Sequence, residues 1–365
     1  MEVNLRSRVS LAEAADIVVA IGNTNTCSLV GEPGIGKTAM HEEVVRRTGM
    51  RGVYIDGPNL ELGDVGIPVP NHDTKTTHFY LNEHWGLHTG EPMVIFIDEF
   101  TKAPQAVQNM LHPLLNERRA ANVKLHPDSI VMIAGNLTTD GVGDAMKAHT
   151  KQRITEIHVK KPHAGINADS TIDPDSWGEW AIKQEENPIA PEVITFVKEY
   201  PQVLASYLDG GQAENPYIFH PKKPQQSVVS PRTLVKGSNI VKKRMHFSHN
   251  ALKTALEGTI GATAARDMLA YLEVADSLPT WEQIINNPSN ANVPSSPAAL
   301  CILAFNALQR LDRSNIGKWF DYMKRTPKEL QSVFCLSAMK SDSKKSLVMT
   351  SAPFVTWMRE NQYLF

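Results

Sequence analysis

The chain has 365 residues, of which 42% are hydrophobic and 21% are charged, and its formal net charge is −2. That length allows one full domain and a second, smaller one, and the composition is that of an ordinary globular protein. The near-neutral charge argues against a broad basic face for nucleic acid. The three cysteines lack metal-ligand or redox spacing, and no segment reaches the roughly 18 to 20 apolar residues of a spanning helix. With no signal-peptide core in the first ten residues, we expect a cytoplasmic protein without membrane contact.

The first 160 residues alternate predicted strands with predicted helices. Helices are predicted over residues 11–22, with a glycine stop, and over 38–47. Five short apolar or β-branched segments are predicted as strands: 26–30, 53–56, 93–97, 129–134 and 154–159. This order is typical of a doubly wound parallel sheet with helices on both faces, and so of an α/β fold.

A loop rich in Pro, Asp, Ser and Gly over residues 160–176 marks a boundary, after which the pattern becomes mostly helical. Helices are predicted over the segments 191–208, 231–243 and 251–275, and irregular connectors over 208–230 and 286–298. We therefore expect an α/β domain over residues 1–165 and a mostly helical domain, with a C-terminal helical extension, over residues 166–365.

A glycine-rich segment directly follows the first predicted strand. Residues 31–38, GEPGIGKT, fit G-x-x-x-x-G-K-[ST] at every fixed position, with a strand before them and a helix after them. Backbone N–H groups of such a turn and the positive end of the helix favour a phosphate, so we predict an ATP site. Lys37 would reach the β- and γ-phosphates, and Thr38 would give its hydroxyl to Mg²⁺. The predicted ATP-binding residues are Gly31, Glu32, Pro33, Gly34, Ile35, Gly36, Lys37, Thr38, Ala39 and Asp98.

Two carboxylates end the apolar segment 93–97. Asp98 is predicted to join Thr38 at Mg²⁺, and Glu99 to orient and deprotonate the attacking water. The Asp-Glu pair favours hydrolysis over the phosphoryl transfer of a small-molecule kinase. Asn136 follows the strand predicted over 129–134 and is expected to hold the water against the γ-phosphate.

With these motifs in place, the chain resembles the MoxR-like branch of the AAA+ ATPases, a type common in bacterial and phage genomes. The resemblance covers most of the chain and rests on seven short segments. They are DVGIP (64–68), DEFTKAPQAVQ (98–108), LLNERR (114–119), AGN (134–136), WGEWA (177–181), SPRT (230–233) and the helical segment GTIGATAA (258–265). It implies a five-stranded P-loop (AAA+) core followed by a helical lid domain. It also implies a homo-oligomeric ring, a hexamer, that holds ATP between neighbouring subunits.

In such a ring, one subunit binds ATP and the next supplies an arginine finger. By its position just before the last core strand, the resemblance assigns this finger to Arg153, where a cation would offset charge on the transferring phosphoryl group. Other cations compete for this role: Arg118, Arg119, Lys147 and Lys151. Arg232 would be the sensor 2 arginine that couples the lid to the γ-phosphate. Arg232 also lies in the first turn of a predicted helix, with Ser230 as the N-cap and Pro231 after it.

The resemblance implies a chaperone-like remodeler of a protein partner, often one with a von Willebrand factor A domain. Residues 67–85 hold histidines and aromatics and are predicted to form a hairpin or loop that faces the ring centre rather than a metal site. Two alternatives stay open. One is a motor or loader that acts on nucleic acid, and the other is a scaffold that ATP locks together with little turnover.

Overall fold

The computed structural model describes residues 7–137, 146, 148–165, 173–221 and 227–361. The chain divides into two units, of which the first is Met1–Pro162 with His220–Pro224 and the second is His163–Phe219 with Gln225–Phe365.

Strands and helices alternate through the first unit. Its elements are α1 (Leu11–Ile21), β1 (Thr26–Val30), α2 (Lys37–Thr48), β2 (Arg51–Asp56), α3 (Leu62–Val65), β3 (Ile67–Asn71), β4 (Thr76–Tyr80), β5 (Met93–Asp98), α4 (Gln105–Glu117), β6 (Arg119–Ala120), β7 (Val123–Lys124), β8 (Ile130–Gly135), α5 (Ala148–Lys151) and β9 (Ile154–His158). Five of the strands form one parallel sheet in the order β2-β5-β8-β1-β9. The five predicted strands and the predicted parallel α/β core are therefore confirmed.

The middle of this sheet is buried on both faces. Along β5, Val94 and Phe96 pack into the core that also contains residues of α1 and α2. Ile95 and Ile97, which alternate with them, pack into the opposite core with residues of α4. A strand covered on both faces needs an unbroken apolar run, which is why residues 93–97 carry no polar side chain. Because all five strands are parallel, their carboxyl ends meet at one edge of the sheet.

The segment predicted as a loop or hairpin contains a two-stranded antiparallel hairpin, β3–β4. Ile67 pairs with Tyr80 and Asn71 with Thr76. Its side chains are exposed or half-buried, and Ile67 and Tyr80 are 56% and 66% exposed. A two-stranded ribbon with so little burial gains little stability of its own. Because its apolar side chains are exposed, they are available to another molecule.

The described elements of the second unit are helices. They are α6 (Trp177–Ile182), α7 (Pro191–Glu199), α8 (Pro231–Val241), α9 (His249–Ile260), α10 (Ala262–Asp276), α11 (Trp281–Asn286), α12 (Pro297–Arg310), α13 (Ile316–Met323), α14 (Lys328–Lys340), α15 (Asp342–Met349) and α16 (Ala352–Glu360). Trp319 and Trp357 are fully buried in their common core, and Trp357 Nε1 donates a 2.6 Å hydrogen bond to Gln331 Oε1. Helix α16 therefore docks on its own unit. Within the described ranges, no helix is both long and apolar enough to cross a membrane.

Two predicted helices of this unit were wrong in extent. The helix predicted over 251–275 is two helices, α9 and α10, which meet at Gly261 with φ +86°. A Cβ at Gly261 would lie 2.2 Å from the carbonyl oxygen of Ser227, so the backbones approach too closely for any other residue. The helix predicted over 191–208 ends at Glu199. Pro201 disfavours helical backbone at the residue before it, and short 3₁₀ turns follow.

Candidate functional site

The predicted phosphate cradle is the loop between β1 and α2. Residues 31–36 form the loop, and Lys37, Thr38 and Ala39 open α2. Gly34 and Gly36 have φ +75° and +113°, a backbone conformation that residues with a Cβ rarely adopt. Within the described chain no side-chain hydrogen bond caps this helix at Gly36, and the amino-terminal end of a helix favours an anion. The backbone therefore fits a phosphate group.

Lys37 joins the cradle to the end of β8. Its side chain is buried, and Nζ donates hydrogen bonds to the carbonyl oxygens of Gly31, at 2.7 Å, and Glu32, at 2.9 Å. A third bond, 3.1 Å long, reaches Asn136 Oδ1. These three acceptors are uncharged, and a phosphate oxygen would give the ammonium group a stronger, charged partner. The structure thus brings together the predicted phosphate-binding lysine and the predicted water-holding amide.

Thr38 and Asp98 meet although they are 60 positions apart in the chain. Thr38 Oγ1 donates a 2.9 Å hydrogen bond to Asp98 Oδ2. Oδ1 of the same carboxylate accepts from the backbone N–H of Glu99, at 3.0 Å. A hydroxyl and a carboxylate are hard oxygen ligands, and Mg²⁺ commonly uses one or two protein ligands together with substrate phosphates and water. The residues present therefore fit Mg²⁺ bound with a triphosphate.

Glu99 follows β5 in an unusual backbone conformation. Its φ is +48°, in the left-handed region that costs a non-glycine residue roughly 1–2 kcal/mol. Strain of this kind is concentrated at functional sites. The Glu99 carboxylate is partly exposed and accepts a 2.9 Å ion-paired hydrogen bond from Lys102 Nζ through Oε2. Its other oxygen, Oε1, accepts no hydrogen bond within the described residues.

Two residues of this site were not predicted from the sequence. Tyr54 donates a 3.2 Å hydrogen bond from its hydroxyl to Asp98 Oδ2, and Lys102 pairs with Glu99. The spacing of Lys102, three residues after Glu99, was a usable signal because a turn brings such positions together. No such signal existed for Tyr54, because its place beside Asp98 depends on the register of β2 against β5.

Arg153 lies in the turn between α5 and β9, and its side chain is exposed. Its backbone N–H bonds the carbonyl oxygen of Thr150 at 3.0 Å. The hydroxyl of Thr150 lies 3.2 Å from His112 Nε2 of α4, which ties this turn to the helix that follows Glu99. An exposed guanidinium on an anchored turn could reach a second molecule.

The competing cations differ from Arg153 in their surroundings. Both terminal nitrogens of Arg118 are buried without a hydrogen-bond partner in the part of the chain that the structure describes, and burial lowers the pKa of its guanidinium. Arg119 donates to Glu117, at 2.8 Å, and to the carbonyl oxygen of Ala121. Lys151 is exposed, and Lys147 lies outside the described residues. Arg118 therefore cannot reach a neighbouring molecule without rearrangement.

Arg232 belongs to the second unit and is exposed in the first turn of α8. The hydroxyl of Ser230 accepts the backbone N–H of Thr233 at 3.2 Å, and Thr233 Oγ1 accepts the N–H of Ser230 at 2.8 Å. The predicted capping of this helix is confirmed. The sensor 2 role of Arg232 stays a prediction.

One protein family matches part of this chain. Residues 27–154 match the family model described as an AAA domain of the dynein-related subfamily. The match begins in β1 and ends at the first residue of β9, so it contains Lys37, Asp98, Glu99 and Asn136. It supports ATP binding and hydrolysis at the level of that family.

Solved structures of low similarity include a candidate ATPase from Cytophaga hutchinsonii, 14% identical, with 72% of this chain and 88% of that chain covered and a TM-score of 0.31. Another is RuvB of Thermotoga maritima, a Holliday junction branch migration motor, 13% identical over 87% of this chain and 89% of that chain, with a TM-score of 0.34. Its P216G mutant is 13% identical, with 89% and 94% covered and a TM-score of 0.35. Scores this low carry no argument about activity. The fold itself is a parallel five-stranded P-loop core followed by a mostly helical region, as predicted.

Proposed function

We propose that this chain is a MoxR-like AAA+ ATPase that assembles into a ring, a hexamer, and hydrolyses ATP to remodel a protein partner. The observation that carries the proposal is the 2.9 Å hydrogen bond from Thr38 to Asp98. It joins the first turn after the phosphate cradle to the end of β5, so one Mg·ATP could contact both. If the glycine-rich turn and the acidic end of β5 were unrelated features, we would not expect their side chains to be in contact.

Each residue of the site has a separate task in this proposal. The backbone N–H groups of residues 34–38 and the ammonium of Lys37 bind the phosphates. Mg²⁺, held by Thr38 and Asp98, would offset the negative charge of the phosphates. Asn136 orients the attacking water, and Glu99 takes its proton on Oε1 while Lys102 keeps Oε2 in place.

The site is shared between subunits, with Arg153 as the arginine finger and Arg232 as the sensor 2 residue. The exposure of Arg153 supports this assignment, as does the burial of Arg118. The exposed apolar side chains of the β3–β4 hairpin support a role in contacting the partner from the ring centre. We propose a cytoplasmic location and a protein partner, such as one with a von Willebrand factor A domain.

Turnover and nucleotide binding, measured on the same variants, test the hydrolytic role. Glu99→Gln should keep nucleotide affinity and lower kcat by about 10²–10⁴-fold, because the proton acceptor is lost. Glu91→Gln, at an exposed glutamate outside the site, is the matched control and should turn over like wild type. If the wild-type protein hydrolyses ATP no faster than the background rate, the ATP-locked scaffold would be favoured instead. Stimulation by DNA that falls steeply with salt would favour the nucleic-acid motor.

Mixing two inactive variants tests the shared site. Arg153→Ala should bind ATP but turn over about 10³-fold more slowly, and Lys37→Met should leave its own site largely empty at an ATP concentration that fills the wild-type site. In a mixed ring, the intact Lys37 of one subunit meets the intact Arg153 of its neighbour, so activity should return. No recovery in mixed oligomers of verified composition would contradict the trans-acting role of Arg153.

A further inference from the structure

Among the residues that the structure describes, three hydrogen-bond donors contact the Asp98 carboxylate. Thr38 Oγ1 and the Glu99 backbone N–H both belong to the predicted site. The third donor, the hydroxyl of Tyr54, reaches Oδ2 at 3.2 Å and has no role in the proposed reaction. Oδ2 therefore accepts two hydroxyl groups, and Oδ1 accepts one amide.

Tyr54 is well placed to restrain this carboxylate. It lies on β2, whose register pairs Tyr54 with Phe96 and Asp56 with Asp98. Its ring packs on the fully buried Phe96, with 5.9 Å between ring centroids. The flanking residues of β2, Val53 and Ile55, are buried, so the backbone that carries the ring is anchored in the core. The ring contact and the anchored strand therefore place the hydroxyl beside Asp98.

We propose that Tyr54 is a positioning residue that holds the Asp98 carboxylate in the orientation in which Asp98 and Thr38 receive Mg²⁺. This inference rests on the proposed function. Without the Tyr54 hydroxyl, Oδ2 keeps the bond from Thr38 as its single donor among the described residues, and the carboxylate gains freedom to rotate. Thr38 would itself give an oxygen to Mg²⁺, and the bond from Tyr54 would keep the carboxylate oriented when the metal binds.

The expected effect is a loss of metal affinity rather than of nucleotide affinity. Removing a partner that orients a metal ligand commonly weakens metal binding about 10–100-fold. Tyr54 is 49% exposed, so water can partly replace its hydroxyl. We expect Tyr54→Phe to raise the Mg²⁺ concentration for half-maximal effect about tenfold, the lower end of that range.

The test is a Mg²⁺ titration of the binding of a fluorescent ATP analogue, repeated with EDTA in place of metal. Tyr54→Phe removes only the hydroxyl. Tyr217→Phe is the matched control, because its hydroxyl donates a 2.7 Å hydrogen bond to Asp267 Oδ2 in the second unit. We expect the tenfold shift in Tyr54→Phe alone and unchanged affinity in EDTA for both variants.

Two results would overturn the inference while leaving the proposed function intact. One is a Mg²⁺ titration of Tyr54→Phe that matches wild type. The other is an equal loss of affinity with and without metal, which would indicate a structural role. In an Asp98→Asn background, Tyr54→Phe should add little further loss, because the partner is already changed. Absence of Mg²⁺-dependent nucleotide binding in wild type would instead refute the ATPase itself.

Discussion

Replacing Lys37 by methionine should weaken ATP binding by about two orders of magnitude. Nζ of Lys37 donates hydrogen bonds of 2.7, 2.9 and 3.1 Å to Gly31, Glu32 and Asn136, and the residue is only 8% exposed. Hydrogen bonds to charged groups contribute about 1.5–3 kcal/mol each. Exchange of two of these neutral acceptors for charged phosphate oxygens gains only the difference between the bonds formed and the bonds lost. That difference is about 3 kcal/mol in all, or about 10²-fold in Kd. Methionine keeps the length of the side chain and removes the charge.

Fluorescence anisotropy of a labelled ATP analogue measures this loss directly. Lys124→Met, at an exposed lysine of β7, is the matched control and should bind like wild type. Thermal unfolding of both variants separates lost binding from lost folding. If Lys37→Met is folded and its Kd lies within about threefold of wild type, the ammonium group does not contact the phosphates, and the assignment of the cradle is wrong.

Three further changes test other features of the structure. Gly261→Ala should destabilise the second unit by about 2–4 kcal/mol in urea unfolding, because its Cβ would lie 2.2 Å from a carbonyl oxygen. Gly258→Ala, at an open position inside α9, should instead stabilise it by about 0.5–1 kcal/mol, and equal effects would contradict this account. Arg118→Met should raise stability by about 1 kcal/mol and leave turnover unchanged, because it removes two buried terminal nitrogens that have no hydrogen-bond partner within the described residues. Lost turnover would instead favour Arg118 as the finger. Burial lowers the pKa of His41, so unfolding takes up a proton below about pH 6.5. The urea midpoint should therefore fall from pH 7 to pH 5 in wild type and fall less in His41→Gln; parallel curves would exclude His41 as the cause.

The central sheet could be predicted because its physical constraints are local. A parallel strand between two helical layers must be apolar on both sides, and residues 93–97 satisfy this within one short segment. The cradle could be predicted for a similar reason. A glycine turn, a lysine and a hydroxyl must follow one another at fixed spacing to surround a phosphate. Residues 31–38 have that spacing.

Features that depend on contacts between distant segments could not be predicted. Gly261 looks like a tolerated residue within a helical pattern, and only the approach of Ser227 shows why a helix ends there. The sequence favours Arg153 as the finger but leaves Arg118 as a competitor, and only the structure shows that the terminal nitrogens of Arg118 are buried while Arg153 is exposed. Tyr54 reads as an ordinary aromatic residue of a strand until the register of β2 places it beside Asp98.

The sequence by itself determined the alternation of strands and helices, the phosphate-binding turn and the pair of carboxylates that ends a buried strand. Periodicity and short motifs are local properties, so they can be recognised in the sequence without knowing which residues pack against them. Only the tertiary structure decided which donors hold Asp98, which arginine is exposed and where the long helical segments break. Those outcomes depend on burial and on hydrogen bonds between residues far apart in the chain, and the free energies of such contacts exist only once the chain has folded.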